Sequence, residues 1–256
     1  MKLSKDGLEM VYAGKTKDVY NYRDGEILLY MKDGAGTRYS KEDSDGNEIG
    51  STVTGMGQKN LIASEYYFKK FIEAGIPTHY LGCDIDENLM LVRAGKILGT
   101  GLECIIRFFA MGSLLRRFPD EYAHGQPVFD FFETILKSDA DNDPPISKEE
   151  LIAQGVVSDS QYDDIKRICQ TAADVIQVDL KEESLSLVDL KFELGLVDGA
   201  IVLIDEVSAG VMRVARDNIK AANILSKEEL SDILVTKAKR SKLIEMLLSN
   251  KDNCCI

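Results

Sequence analysis

Residues 187–206 read Leu-Val-Asp-Leu-Lys-Phe-Glu-Leu-Gly-Leu-Val-Asp-Gly-Ala-Ile-Val-Leu-Ile-Asp-Glu. Asp189, Lys191 and Glu193 alternate with Leu190, Phe192 and Leu194. Alternate residues of a strand share a face, so one face is apolar and the other carries Asp, Lys and Glu. Asp198-Gly199 supplies a tight hairpin turn, because glycine accepts positive φ. The return strand, 200–204, is almost wholly apolar and ends at Asp205-Glu206. Glu193 and Asp205 lie on neighbouring strands and are placed to converge. Converging carboxylates repel unless a cation lies between them. Mg²⁺ suits such hard oxygen ligands, taking one or two carboxylates and leaving the rest of its shell to phosphates and water. The same alternation also fits a half-buried hairpin with a solvated charged face.

Upstream of this hairpin, residues 9–12, 18–20 and 27–31 read as a β-meander, with turns at Ala13-Gly14 and Arg23-Asp24-Gly25. Residues 34–57, rich in Gly, Ser, Thr and Asp, read as a mobile loop. An amphipathic helix is expected over 58–74, ended by Gly75 and Pro77. Short strands follow near 79–83, 89–93 and 102–109, then a short helix at 111–118 and an extended segment at 128–137. Ser147 opens a capping-box pattern with Glu150. The longest helical pattern runs over 159–180. Two polar-faced helices, 226–236 and 237–250, are expected to close the chain. This order fits α+β better than a doubly wound sheet.

The chain has 256 residues, enough for one large domain or two lobes. Its 43 acidic residues outnumber 31 basic ones, for a net charge of -12, which argues against a nucleic-acid partner through bulk charge. Five cysteines fit no zinc spacing, and an odd count points to reduced thiols in a cytosol. No apolar run approaches a membrane span and no signal-peptide core is evident. A cytoplasmic protein is expected.

Further segments have chemical potential. In Tyr12-Ala-Gly14-Lys15-Thr-Lys17-Asp-Val-Tyr20, a glycine turn lets backbone amides approach a phosphate, with lysines at alternate positions to meet its charge. It is not a Walker A motif, and a surface turn with two solvated lysines reads the same way. Glu103-Cys-Ile-Ile-Arg107 is an apolar strand ending in arginine. Gly112-Ser113 then opens a helix beside it, an arrangement that suits a phosphate or carboxylate. A strand-end arginine and a helix-cap serine would look alike. Lys137-Ser-Asp139-Ala-Asp-Asn-Asp143-Pro144 reads as a loop that could recognise an amine or a metal.

Together, and in this order, these segments resemble the phosphoribosylaminoimidazole-succinocarboxamide synthase (SAICAR synthetase) family. The resemblance rests on residues 12–20, Ala-Gly-Ile-Pro-Thr at 74–78, residues 103–117, the loop 137–144 and the hairpin with Asp-Glu-x-Ser at 187–208. It covers nearly the whole chain. It implies a two-lobed α+β fold, ATP-grasp or kinase-like, with a β-rich N-terminal lobe over 1–105 and a larger mixed α/β lobe over 106–256. It also implies an ATP-dependent ligase of purine biosynthesis that joins L-aspartate to a carboxyaminoimidazole ribonucleotide through an acyl phosphate. A carboxylate is a poor acyl donor, so such chemistry needs charge neutralisation and alignment more than a protein nucleophile. By the same resemblance, Gly14, Lys15, Lys17 and Glu103 hold ATP, and Glu193 and Asp205 bind Mg²⁺. Asp189 and Lys191 line the reaction centre. Arg107, Ser113 and Arg213 hold the ribonucleotide, and Asp139 lies near the amino-acid substrate. Partners are small molecules, with neither nucleic acid nor membrane. Members of the family are often oligomeric, so a homo-oligomer is admissible.

The chain departs from the family pattern at Ala209 and Gly210, where Pro and Asp usually stand, and at Phe108, where Asn does. The loop at 32–37 is shorter than usual, and residues 57–60 replace an Asn-Asn-Lys. The changes at Gly210 and Phe108 motivate one alternative, the same ligase chemistry on a different acid or amine; a non-catalytic nucleotide-binding homologue is a second, opposed by the presence of Asp189, Lys191, Glu193 and Asp205.

Overall fold

The computed structural model describes residues 1–33, 53–137, 143–216, 219 and 223–252. Most of the loop expected at 34–57 lies outside them.

The expected meander is present as β1 (Met10–Ala13), β2 (Lys17–Arg23) and β3 (Glu26–Met31). After α1 (Met56–Glu73) come β4 (Tyr80–Asp84) and β5 (Leu89–Arg93), completing a five-stranded antiparallel sheet in the order β1-β2-β3-β5-β4. Helix α1 buries Leu61, Tyr67, Phe68 and Phe71. It ends where Gly75 takes the left-handed conformation at φ 73°, a cap that only glycine adopts cheaply.

A seven-stranded sheet follows. It contains β6 (Lys96–Ile97), β7 (Leu102–Phe109), β8 (Pro127–Leu136), β9 (Pro145–Ile146), β10 (Leu185–Val197), β11 (Ala200–Ile204) and β12 (Met212–Arg216). Between them lie α2 (Ser113–Arg117), α3 (Lys148–Ala153) and α4 (Asp159–Lys181). Strand β10, 13 residues long, organises this sheet. One edge pairs with β12 and then β11, and the other with β7 and then β6. The β10–β11 turn has Asp198 at φ 52° and Gly199 at φ 80°, the left-handed pair that a two-residue hairpin requires.

Helix α4 decides which face of this sheet is free. It starts at a capping box of Ser158 and Gln161, and its buried residues Ile165, Ile168, Cys169, Ala172, Ile176 and Leu180 follow helical spacing. They join Cys104, Ile106, Leu190, Phe192 and Leu194 in one core. Burying each large side chain there stabilises the fold by roughly 1.5–3 kcal/mol. The opposite face of β7 and β10 is left to charged residues. The two sheets are tied where Leu203 N donates to Pro77 O (2.9 Å) and His79 N donates to Leu203 O (3.0 Å).

One expectation is corrected. The chain closes with a single helix, α5 (Lys227–Asp252), rather than two. Neither Gly nor Pro interrupts it at Thr236-Lys237. Lys237 anchors its middle by donating to Asp179 O (3.0 Å). Nor are its last turns polar-faced, since Leu243, Ile244, Met246 and Leu247 are exposed. The junction expected between 105 and 106 falls inside β7.

Candidate active site

Register places the predicted residues on one face. Asp189 lies opposite Arg107, Lys191 opposite Ile105, and Glu193 opposite Glu103. Like charges directly across a strand pair repel, and two lysines offset this. Lys137 Nζ lies 2.7 Å from Glu193 and 3.5 Å from Glu103. Lys191 Nζ donates to Glu103 Oε1 at 2.6 Å. Burial and the neighbouring Asp205 together raise the Glu193 pKa above its ordinary value.

Asp205 directly follows β11, at φ 73°. In an extended strand, consecutive residues point to opposite faces. Here the left-handed residue lets Asp205 and Glu206 reach the same ammonium: Lys17 Nζ sits 2.6 Å from Asp205 and 3.2 Å from Glu206. Burial opposes charge on Asp205. Lys17 outweighs that and holds the pKa below the usual range. Glu206 also accepts from Ser208 Oγ (2.6 Å), which in turn accepts from Gly210 N (3.1 Å). Behind Asp205, His79 Nε2 lies 3.3 Å from the Asp205 carbonyl. Burial lowers the His79 pKa to about 4, so the ring is neutral.

Lys17 is delivered by the β1–β2 turn. Gly14 N donates to Lys17 O at 2.9 Å, and a Cβ on Gly14 would lie 2.6 Å from that oxygen. Glycine is therefore required by close approach. Lys32 braces the turn through Gly14 O (2.5 Å) and Asp18 (2.8 Å). Lys15, expected beside Lys17, stays exposed on the turn.

The other end of the face is rich in arginine. Asp189 accepts from Arg107 Nη1 (2.9 Å) and Arg213 Nε (2.9 Å). Arg107 Nη2 donates to Ser113 Oγ at 2.8 Å. The helix cap is Gly112 at φ 63°, which leaves the Ser113 hydroxyl for the arginine. Burial lowers the Arg107 pKa, and its Nε has no hydrogen-bond partner among the described residues. Glu133 on β8 bridges Arg117 (2.6 Å) and Arg107 (3.7 Å).

The face thus brings together Lys17, Glu103, Arg107, Ser113, Asp189, Lys191, Glu193, Asp205 and Arg213. Asp139 lies outside the described residues. The sequence reading did not assign Glu133, Lys137, Glu206 or Ser208 to the site. Lys137 and Ser208 were visible only as members of motifs, and Glu133 only as a charge in an apolar strand.

A family model described as SAICAR synthetase matches residues 10–243. The chain belongs to the SAICAR synthetase family. A phosphoribosylaminoimidazole-succinocarboxamide synthase of Clostridium tetani is 37% identical, over 82% of this chain and 93% of its own. One of Methanoculleus marisnigri is 32% identical, over 81% of this chain and 82% of its own. A solved SAICAR synthetase in complex with ADP superposes with a TM-score of 0.73 at 28% identity, covering 85% of this chain and 88% of that one. The family's two-lobed α+β fold accounts for the two sheets meeting at Lys17 and Asp205. Among the described residues, no helix is long and apolar enough to cross a membrane.

Proposed function

We infer that the protein is an ATP-dependent ligase that forms the amide between L-aspartate and the carboxylate of carboxyaminoimidazole ribonucleotide. The observation that carries this reading is the order of groups along β10. Asp189, between two arginines, lies four residues from Glu193, a span of about 13 Å at strand rise. Lys191 lies midway. Such a face can hold an anionic ribonucleotide at one end and nucleotide phosphates at the other, with a cation between them.

In this reading Arg107, Ser113 and Arg213 bind the ribonucleotide, and Arg213 takes its phosphate. Gly14, Lys15 and Lys17 bind the phosphates of ATP. Glu103 aims Lys191, and Asp189 aligns the arginines beside the reaction centre. A carboxylate oxygen of the ribonucleotide attacks the γ-phosphorus, and ADP leaves. Lys191 neutralises the charge that builds on the acyl oxygens. The aspartate amine, held near Asp139, then attacks the acyl carbon and the C–O bond to phosphate breaks. The amine's proton is lost as the amide forms.

Glu193 and Asp205 fit Mg²⁺. Both are oxygen donors, and burial first, with the nearby Asp205 charge second, raises the Glu193 pKa, so a cation between the two carboxylates would relieve part of their repulsion. Among the described residues no group of three His, Cys, Asp or Glu could hold a metal, so phosphates and water would complete the shell. When bound, Mg²⁺ would neutralise phosphate charge.

The test is incubation with ATP, Mg²⁺, aspartate and carboxyaminoimidazole ribonucleotide, following amide product and ADP. Stoichiometric formation of both is expected. ADP release only with another acid or amine, or nucleotide binding with no turnover on any acid–amine pair, would overturn the assignment.

A further inference from the structure

Glu193 is not an open ligand in this structure, because Lys137 Nζ lies 2.7 Å from its carboxylate. Asp205 is likewise paired, with Lys17 at 2.6 Å. A divalent cation entering between these carboxylates therefore meets two ammonium groups already in place. The two differ in how firmly they are held. The Lys17 side chain is only 12% exposed and is shared by Asp205 and Glu206. The Lys137 side chain is 42% exposed. Its second carboxylate, Glu103, is 3.5 Å away and already closer to Lys191 at 2.6 Å. Lys137 sits just past the end of β8, which stops at Leu136, with its stem lying over Gly101 and its side chain the more exposed of the two.

We propose that Lys137 is a built-in counterion for the cation site. It neutralises Glu193 when no metal is bound, is displaced by the divalent cation, and weakens metal binding by having to leave. The proposal rests on Glu193 and Asp205 being the metal ligands. Without Lys137, Glu193 would face Glu103 across the strands with less positive charge to offset the two carboxylates. Lys17 stays in place on both carboxylates, because leaving would strip its more buried pairs of their charge. No bond is made or broken in the exchange, which swaps one ion pair for metal coordination.

The test is Mn²⁺ affinity, read by electron paramagnetic resonance on the nucleotide-free protein, for wild type, Lys137→Met and Glu193→Gln. Lys137→Met keeps the apolar stem, and circular dichroism checks its fold. It should bind Mn²⁺ roughly two- to five-fold more tightly, the range set by breaking a half-exposed ion pair. In the wild type, acylation of Lys137 by an amine-directed reagent, read by mass spectrometry, should rise when Mn²⁺ is added. Unchanged or weaker Mn²⁺ binding in Lys137→Met, or labelling indifferent to Mn²⁺, would overturn the proposal while Glu193→Gln still weakens binding. If Glu193→Gln leaves Mn²⁺ affinity unchanged, the metal assignment itself fails and the counterion role falls with it.

Discussion

Replacing Asp189 with asparagine removes the carboxylate that two guanidiniums share. The Asp189 side chain is 8% exposed and that of Arg107 is 2% exposed, 2.9 Å apart. Arg213 donates to the same carboxylate from the other side. Breaking a buried pair by removing one partner costs about 3–5 kcal/mol, because the survivor remains buried and uncompensated. Arg107 keeps Ser113 and a 3.7 Å approach to Glu133, so the lower end, about 3 kcal/mol, is expected for Asp189→Asn. Arg213→Met should cost less, about 1 kcal/mol, since Asp189 retains Arg107. Arg107→Met combined with Asp189→Asn should fall short of the sum of the single costs by about 2 kcal/mol, within the range for residues in contact. The chain has no tryptophan, so urea unfolding is followed by far-ultraviolet circular dichroism. An Asp189→Asn cost under about 1 kcal/mol, or a cycle additive within about 0.5 kcal/mol, would refute the reading of Asp189 as a buried clamp.

Two further outcomes are expected. Lys191→Ala should abolish ligation yet leave ADP binding measurable by calorimetry; the lysine that pairs with Glu103 is itself partly exposed, which limits the stability change to about 1 kcal/mol. Normal turnover would remove Lys191 from the reaction centre. His79 has a folded pKa of about 4 against an ordinary 6.5, so the unfolded chain takes up the proton first as pH falls. Stability from burying the neutral ring is therefore full above pH 6.5 and is lost as pH drops toward 4, by about 2 kcal/mol between pH 7 and 5. His79→Gln should flatten that part of the profile in urea titrations at the two pH values, and an identical slope in both proteins would argue against it.

Local patterns explain what was legible in the sequence. Strict alternation and Asp198-Gly199 announce the β10–β11 hairpin, and the capping box at Ser147 sets a helix start. Helix α5 was misread because residues 236–242 are almost all polar, which breaks apolar periodicity without breaking the helix. Their Lys, Ala and Arg residues are good helix formers. Pairings across distance were not legible. Lys17 meets Asp205 across 188 positions, and Lys191 meets Glu103 across 88. Glu133 looks like an ordinary strand charge until β7 places Arg107 beside it.

The departures at 108 and 209–210 become interpretable through the same contacts. Phe108 packs against the main core, whereas Arg107 before it turns to Asp189 and Ser113. The change at 108 therefore alters packing behind the site rather than a group on its charged face. Ala209 is buried, at 1% exposure, in the 3-10 turn Ala209–Val211. That turn is capped by Ser208 Oγ through the backbone N–H of Gly210, a donor that every residue except proline provides. The chain Gly210–Ser208–Glu206–Lys17 is closed by one backbone group and three side chains that all match the family pattern. The side chain lost at Gly210 is no part of it. A Cβ at 210 would lie 3.2 Å from Ser208 Oγ, tight enough that the hydroxyl must shift by a few tenths of an ångström. Glycine at 210 therefore spares Ser208 that crowding, and the links from Gly210 N through Ser208 to Glu206 are made where the sequence pattern breaks.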